Sequence, residues 1–207
     1  MKLLKFVFDR TVAFMGLLVL ALPMAVIAVL VKVSMPGGPV LYRQTRVGKD
    51  GKLFKIHKFR TMTNDEELSN IAYPNRARVT PFGAKLRRHK IDELPELWDV
   101  LIGKMSFVGP RPDVPGYADK LQGDDRVVLK MRPGITGPAT LKYRDEEHLI
   151  EAYVKQAKAD GDARSEDEIA RWYNDEVIYP DKVRINVDYY HKYSFFNDIK
   201  IIFQTLT

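Results

Sequence analysis

Thr11 to Val31, reading TVAFMGLLVLALPMAVIAVLV, is a run of 21 residues with no charged side chain. Lys2, Lys5 and Arg10 precede it and Lys32 follows it. At the α-helical rise it is roughly 30 Å long, enough to cross the hydrocarbon core of a bilayer. A cleaved secretory signal is the first alternative. The run exceeds a usual signal core, and Pro36-Gly37-Gly38-Pro39 offers no small-x-small cleavage site. A buried helix of a soluble protein is the second alternative. Pro23, near the middle of the run, lacks the N–H that would pair with the Val19 carbonyl, so a bend is expected there. Two membrane readings follow: a kinked helix that crosses, or a re-entrant hairpin whose ends return to one face. Basic residues on both flanks, with Arg43, Arg46, Lys49 and Lys52 following Lys32, favour the hairpin. A crossing helix would place one basic cluster on the far side, against the positive-inside tendency.

Outward from this segment, the chain of 207 residues suits one domain with a short appendage. A hydrophobic fraction of 45% and a charged fraction of 29% exclude a disordered chain, a collagen-like repeat and a multi-span bundle. The mean hydropathy of −0.25 by itself resembles an ordinary soluble protein. With no cysteine, a disulfide framework, a thiolate zinc site and a cysteine nucleophile are all excluded, and four scattered histidines argue against a histidine-rich metal site. The net charge of +6 calls for an anionic partner. It is unevenly spread: residues 32–112 carry 16 basic and 8 acidic side chains, whereas residues 113–207 carry 14 and 18. The basic middle is therefore where an anion site is sought.

Met35 to Pro39 is a breaker cluster that ends the membrane element. Val40-Leu41-Tyr42 and Leu53-Phe54-Lys55-Ile56 flank Lys49-Asp50-Gly51-Lys52, whose Asp-Gly pair predicts a β-hairpin turn. Glu66 to Val79 reads as polar loop, followed by a basic helix around Phe82–His89. Leu94, Leu97, Trp98 and Leu101 recur at helical spacing; Pro95 is tolerated only in a first turn, so this helix should start at or near Asp92 and stop at Gly103. The prolines at 110, 112 and 115 mark Ser106–Pro115 as loop. Ser165-Glu166-Asp167-Glu168 has capping-box spacing, and a helix through Ile169, Trp172 and Tyr173 should follow. Phe195–Phe203 reads as a core helix or an interfacial one. The expected fold is α+β and predominantly helical: a cytoplasmic domain over residues 36–207 with a small β-hairpin, and an N-terminal re-entrant membrane element, helix-break-helix, over residues 1–35.

Four segments could carry chemistry. Asp92-Glu93 stands beside Arg87, Arg88, His89 and Lys90. Capping alone accounts for acidic residues at a helix start. Two carboxylates among cations could also ligate Mg²⁺ and attack phosphorus, and a helix start orients phosphates. In Ser106–Pro112, an arginine between two prolines sits on a stiff backbone, which suits bidentate phosphate recognition, although an exposed polar turn explains it equally. Lys55-Ile56-His57-Lys58-Phe59-Arg60 reads either as a solvated strand face or as a phosphate contact. Met131–Pro138 is a glycine-punctuated loop that could approach a ligand closely. No GxGxxG, Walker A or HExxH pattern is present.

As an ordered set, Leu41–Gly48, Phe54–Met62, Asp92–Trp98, Met105–Pro112 and Arg132–Gly137 carry a resemblance to the bacterial sugar transferases, the monotopic phosphoglycosyl transferases. It covers about residues 1–141 and resumes weakly over 185–207. The resemblance implies transfer of a sugar-1-phosphate from a UDP-sugar to polyprenyl (undecaprenyl) phosphate, with Mg²⁺ as cofactor, as the initiating membrane step of bacterial glycan assembly. It implies that Asp92 attacks the β-phosphorus, UMP leaves, and polyprenyl phosphate resolves a phosphosugar-aspartyl intermediate. Glu93 would position the metal with Asp92 or accept a proton. Lys58, Arg60, Arg87, Arg88, Pro110, Arg111, Pro112 and Arg132 would contact substrate. The implied setting is the cytoplasmic face of the inner membrane, with Pro23 as the membrane break. Membrane lipid and downstream glycosyltransferases are the implied partners, and nucleic acid is not among them.

Two departures stand out. Leu22-Pro23 replaces the family's frequent Ser-Pro, so no hydroxyl is at hand to recapture a freed carbonyl. The segment of about 143–184 is longer and more acidic than in minimal members and reads as a divergent helical insertion. The rival function is a membrane-anchored basic module that grips anionic lipid or nucleic acid without catalysis. It leaves the Asp92-Glu93 pair unexplained and lacks a nucleic-acid fold motif. A structural subunit of a membrane complex is a third reading, with no positive feature behind it.

Overall fold

The computed structural model describes residues 2–63 and 78–206, so most of the expected 66–79 loop lies outside the described residues. Helix α1 (Lys2–Ser34) is a single helical run with Pro23 inside it, about 50 Å long at the usual rise. The expected division into helix, break and helix is therefore not seen: α1 runs through Pro23 as one helix. The run ends where the breaker cluster was expected, with Gly37 at a φ of +84° just beyond it.

One narrow face of α1 is docked and the rest is bare. Leu18, Val19, Leu22, Val26, Val29 and Val33 are exposed, whereas Asp9, Ala13 and Val31 are buried. Ala13 packs with Ile56, Val100 and Met105. Further along, Val31 and the following Met35 pack with Phe59 and Leu86. The N-terminal end is tied by polar contacts: Lys5 Nζ donates to Asp198 Oδ2 at 2.5 Å and Ser106 Oγ to Asp9 Oδ2 at 2.7 Å. Both ends of α1 thus rest on the same domain.

Strands β1 (Leu41–Val47) and β2 (Leu53–Phe59) form the expected antiparallel hairpin, with Leu41 opposite Phe59 and Val47 opposite Leu53. Asp50 (φ 59°) and Gly51 (φ 75°) are both left-handed at its turn, the conformation that an Asp-Gly pair tolerates best. Ile56 and Phe59 point into the core. Helix α2 (Pro81–Arg88) lies one residue earlier than the expected Phe82–His89, with Pro81 in the first turn and the Thr80 hydroxyl accepting from Gly83 N at 3.0 Å.

The next helix starts later than expected. Ile91–Glu93 is a tight 3₁₀ turn and α3 spans Glu96–Leu101. Pro95 has no N–H to give the Ile91 carbonyl, so Leu94 N takes that carbonyl at 3.2 Å and closes the shorter turn. Gly103, with φ 81°, follows the helix as a left-handed stop.

Ser106–Pro115 is not wholly loop. Residues Ser106–Val108 form β3, parallel to β4 (Gly134–Thr136), which occupies the expected glycine-punctuated loop. The glycines there serve close backbone packing. A Cβ on Gly134 would meet Gly109 N at 2.2 Å, and one on Gly137 would meet Gly109 O at 2.3 Å. Four further helices, α4 (Pro138–Lys142), α5 (Glu146–Ala159), α6 (Glu166–Tyr173) and α7 (Tyr179–His191), lead to α8 (Phe195–Leu206). The 143–184 segment is helical as expected and has its own core of Ile150, Val154, Ile169, Ala170 and Ile178. The capping box of α6 is formed by Ser165 and Glu168. Helix α8 packs one face on the core, as the first of its two sequence readings expects: Ile201 is buried against Val108 and Tyr189, while Phe196, Phe203 and Leu206 are exposed.

Candidate active site

The hairpin, the 3₁₀ turn and the loop after β3 bring three expected site segments together. Lys58, on β2, donates from Nζ to Glu93 Oε1 at 2.7 Å and lies 3.2 Å from Glu96 Oε1. Arg111 Nη2 donates to the same Glu93 oxygen at 2.8 Å. Glu93 and Glu96 are three positions apart, so one cation on a neighbouring strand can reach both. Lys90, at φ 55°, is in the left-handed region immediately before the turn, a strained conformation for a lysine.

Arg111 is aimed by its neighbours. The Pro110 carbonyl accepts from Gly134 N at 2.8 Å and the Pro112 carbonyl from Arg46 Nη1 at 3.1 Å. Asp113 O accepts from Val47 N at 2.8 Å, which ties the same loop to β1. The stiff Pro-Arg-Pro backbone is therefore fixed on both sides of the arginine, whose side chain keeps 42% of its exposure. That remaining exposure leaves its guanidinium within reach of a ligand.

The carboxylates differ in environment. Burial alone would raise the Glu93 carboxyl, but Arg111 and Lys58 hold it well below the usual range. Glu96, almost wholly enclosed, is pushed by burial up to about 7 despite Lys58. Burial also raises Asp92, against the pull of Lys58, Arg87 and Lys90. Asp92 Oδ1 and Glu96 Oε1 are buried without a hydrogen-bond partner, although Lys58 is within ion-pair distance of the latter. A buried acceptor with no protein donor is costly, so such an oxygen is suited to take a cation or a ligand's donor. Among the described residues no group of three or more histidine or acidic side chains is placed to cage a metal. Mg²⁺ commonly uses one or two carboxylates plus substrate phosphates, and the open oxygen of Asp92 beside Glu93 fits that pattern.

The other expected contacts divide. Arg87 is half-buried and among the cations acting on Asp92. Arg88 is exposed at the end of α2. Arg60 is buried, and its Nη2 donates to the Met35 carbonyl past the end of α1. Arg132 donates from Nε to Gly103 O at 3.1 Å, and its guanidinium lies 5.3 Å from the centre of the Phe6 ring, so its contacts face the start of α1.

Several residues at the site escaped the sequence reading. Glu96 looked like one more polar position of a helix. Asp99 is fully buried and receives the His57 backbone N–H at 2.9 Å, with His57 Nδ1 2.9 Å from its other oxygen. That clasp locks α3 onto β2 beside Lys58. Lys182 and Glu146, paired at 2.6 Å, come from the divergent helical segment. Burial lifts Asp113 to about 6, and Lys182 and Arg46 oppose the rise; this links that segment to the Arg111 loop. Lys58, already named from the sequence, is two residues from the buried Ile56 and shares its face of β2. Nothing comparable marks Lys182.

A family model described as bacterial sugar transferase matches residues 1–207. The chain is 46% identical over 124 residues to a putative undecaprenyl-phosphate N-acetylgalactosaminyl 1-phosphate transferase of Bacillus subtilis (strain 168), covering 58% of this chain and 68% of that protein. It is 36% identical over 212 residues to the UDP-glucose:undecaprenyl-phosphate glucose-1-phosphate transferase of Escherichia coli (strain K12). That match covers 99% of this chain but 40% of the E. coli protein. An exopolysaccharide production protein of Rhizobium leguminosarum is 42% identical over 148 residues, covering 67% of this chain and 74% of that protein.

Proposed function

The chain belongs to the bacterial sugar transferase family, and on that premise we propose that it moves a sugar-1-phosphate from a UDP-sugar to polyprenyl phosphate and releases UMP. The observation that carries this reading is the buried, unpartnered Oδ1 of Asp92 next to a Glu93 already neutralised by Lys58 and Arg111. One oxygen of Glu93 takes both cations, whereas Oδ1 of Asp92 has no hydrogen-bond partner. That asymmetry suits two roles, charge holding and attack.

In the first step an Asp92 oxygen attacks the β-phosphorus of the donor. The bond from that phosphorus to the oxygen bridging the two phosphates breaks, and UMP departs with the electron pair. A phosphate oxygen of the polyprenyl acceptor then attacks the same phosphorus, and the acyl-phosphate bond to Asp92 breaks to return the carboxylate. Arg111 and Lys58 offset the charge that gathers on the phosphoryl oxygens. Burial keeps Asp92 weakly solvated and therefore a better nucleophile than an exposed carboxylate. Asp92 and Glu93 are the residues that would hold Mg²⁺, which when bound supplies charge neutralisation between diphosphate and carboxylate.

The bare apolar side of α1 supports its embedding in a membrane, and the seating of both its ends on one domain supports both flanks lying on one side, with α1 as one helical run rather than helix-break-helix; on this reading that side is the cytoplasmic face of the inner membrane. The lipid-linked product would then be available to later glycosyltransferases. The deciding experiment measures UMP release from a panel of UDP-sugars with Mg²⁺ and undecaprenyl phosphate. Wild type should release UMP from at least one donor, and Asp92→Asn should lose at least about a thousandfold in rate. No release from any donor overturns the reading in favour of a non-catalytic module.

A further inference from the structure

Arg10 and Arg132 converge on one aromatic ring at the start of α1. The Arg10 guanidinium lies 3.5 Å from the centre of the Phe6 ring, and that of Arg132 lies 5.3 Å from it. Both also meet Gly103, just past α3. Arg132 Nε donates to its carbonyl at 3.1 Å, and a Cβ on Gly103 would clash with Arg10 Nη2, so the missing side chain leaves room for that guanidinium. The two like charges are close enough to act on one another. Their repulsion opposes the arrangement unless an anion offsets it.

No protein anion does so. Among the described residues no acidic side chain lies at ion-pair distance from either guanidinium. Asp9, the acid that acts on Arg10, is turned to Ser106 Oγ at 2.7 Å. Arg10 Nη1 donates to the Phe6 carbonyl at 3.2 Å, and Arg132 Nε to Gly103; the remaining N–H donors of both side chains have no protein acceptor. Two planar forks with open donors suit bidentate contact with a tetrahedral phosphate.

The surroundings identify the source of that phosphate. Leu3, Phe6, Arg10 and Phe14 follow one another at spacings of three and four, so they share one face of α1, and Leu3, Phe6 and Phe14 are exposed. An arginine within a bare apolar stripe, stacked on an aromatic ring, holds its charge at the level of lipid headgroups. The transfer site is elsewhere. Met24 packs against the same cluster as Ile91 and Leu94, which flank Asp92-Glu93, and it lies fourteen residues further along α1, about 21 Å.

Resting on the membrane placement of α1 proposed above, we propose that Arg10 and Arg132 form a binding site for the phosphodiester of an anionic membrane lipid. A headgroup that carries its own ammonium returns positive charge to the pair and is disfavoured. Arg132 lies two residues before β4, so the bound phosphate fastens the start of α1 to the β3–β4 pair as well as to the bilayer surface.

The test titrates the detergent-solubilised intact chain with dihexanoyl phosphatidylglycerol, dihexanoyl phosphatidylcholine or inorganic phosphate, followed by calorimetry. Wild type should bind phosphatidylglycerol at least about tenfold more tightly than phosphatidylcholine. Arg10→Gln and Arg132→Gln should each remove most of that preference, and the double variant little more, because both side chains hold one group. Lys32→Gln removes an exposed charge at the far end of α1 and should leave the preference intact. Equal losses in Lys32→Gln and Arg10→Gln overturn the proposal, because the attraction is then diffuse. So does a wild type without the preference. Inorganic phosphate that binds as tightly as phosphatidylglycerol, with the same dependence on both arginines, also overturns it in favour of a site for free phosphate. If a glutamine variant lowers the thermal midpoint, Arg10→Lys and Arg132→Lys decide the matter, since they keep the charge and lose the fork: weakening of about threefold supports the site, and unchanged binding overturns it. Failure of the membrane reading shows separately, as wild type that does not float with phosphatidylcholine vesicles.

Discussion

Lys58 and Glu93, 35 positions apart in the chain, meet at 2.7 Å, and the same ammonium lies 3.2 Å from Glu96. One strand residue thereby holds two buried acids of the following helical turn. Glu93 Oε1 also accepts from Arg111, whereas Glu96 Oε1 has no hydrogen-bond partner. The pair of glutamates therefore differs more in electrostatics than in position.

Removing that ammonium should be costly in two ways. Lys58→Met should destabilise the fold by about 3 kcal/mol, since it strands buried negative charge. It should also lower UMP release about a hundredfold or more, beyond what the lost stability explains. Urea unfolding in detergent and the UMP assay at a temperature where the variant remains folded separate the two effects.

Stability should fall as pH rises through the neutral range. Glu96 has a folded pKa raised to about 7, so between its ordinary value and 7 the folded state binds more protons than the unfolded one. Its contribution is fully present below the unfolded pKa and is lost as pH climbs to 7. Asp113, lifted to about 6, adds to the same slope. Glu93 runs the opposite way, with its share present above the ordinary glutamate range and lost as the pH drops below it. Between pH 5 and 7.5 the thermal midpoint of wild type should decline, and Glu96→Gln should flatten much of that decline, by on the order of 2 kcal/mol. An equal slope in both proteins removes Glu96 as the cause.

The seat of α1 depends on a buried hydroxyl. Ser106 Oγ donates to Asp9 Oδ2 at 2.7 Å, and Asp9 is 1% exposed. Ser106→Ala should cost about 2 kcal/mol, because an acidic group loses a bond that no water can replace. Asp9→Asn should cost less, since an amide oxygen still accepts from Ser106. Denaturation midpoints of the two variants in one detergent give the order directly.

Alanine at Gly134 should damage the site from a distance. Its Cβ would press on Gly109 N at 2.2 Å, on Thr136 O at 2.5 Å and on Gly109 O at 2.7 Å, all backbone atoms that cannot swing away. The β3–β4 pair must open, and with it the bond from Gly134 N to the Pro110 carbonyl beside Arg111. A loss of about 3 kcal/mol is expected. UMP release measured on the folded fraction should fall as well.

Much of the local architecture was readable from the chain. The charge-free run, the Asp50-Gly51 turn and the Ser165–Glu168 capping box are each written within a few residues of where they act, because turns and caps are satisfied by neighbours in sequence. Asp92, Glu93 and Arg111 were legible for a different reason: their motifs, taken in order, resemble a family.

The rest needed distant parts of the chain to meet. Three-residue strands carry too little periodicity to announce themselves, so β3 and β4 exist only because Gly109, Gly134 and Gly137 let two backbones approach. Pro95 was readable as a first-turn residue, yet the 3₁₀ turn came from which N–H could reach Ile91. Arg60 and Arg132 look like Arg87 in the sequence, but burial sent one to the Met35 carbonyl and packing sent the other toward Phe6. Glu96 gained its character solely from enclosure beside Lys58. By itself the sequence determined which segments are apolar, which turn and which carry charge. Tertiary structure decided which charges are desolvated and which cation each acid meets, because both depend on distances between segments that no local pattern encodes.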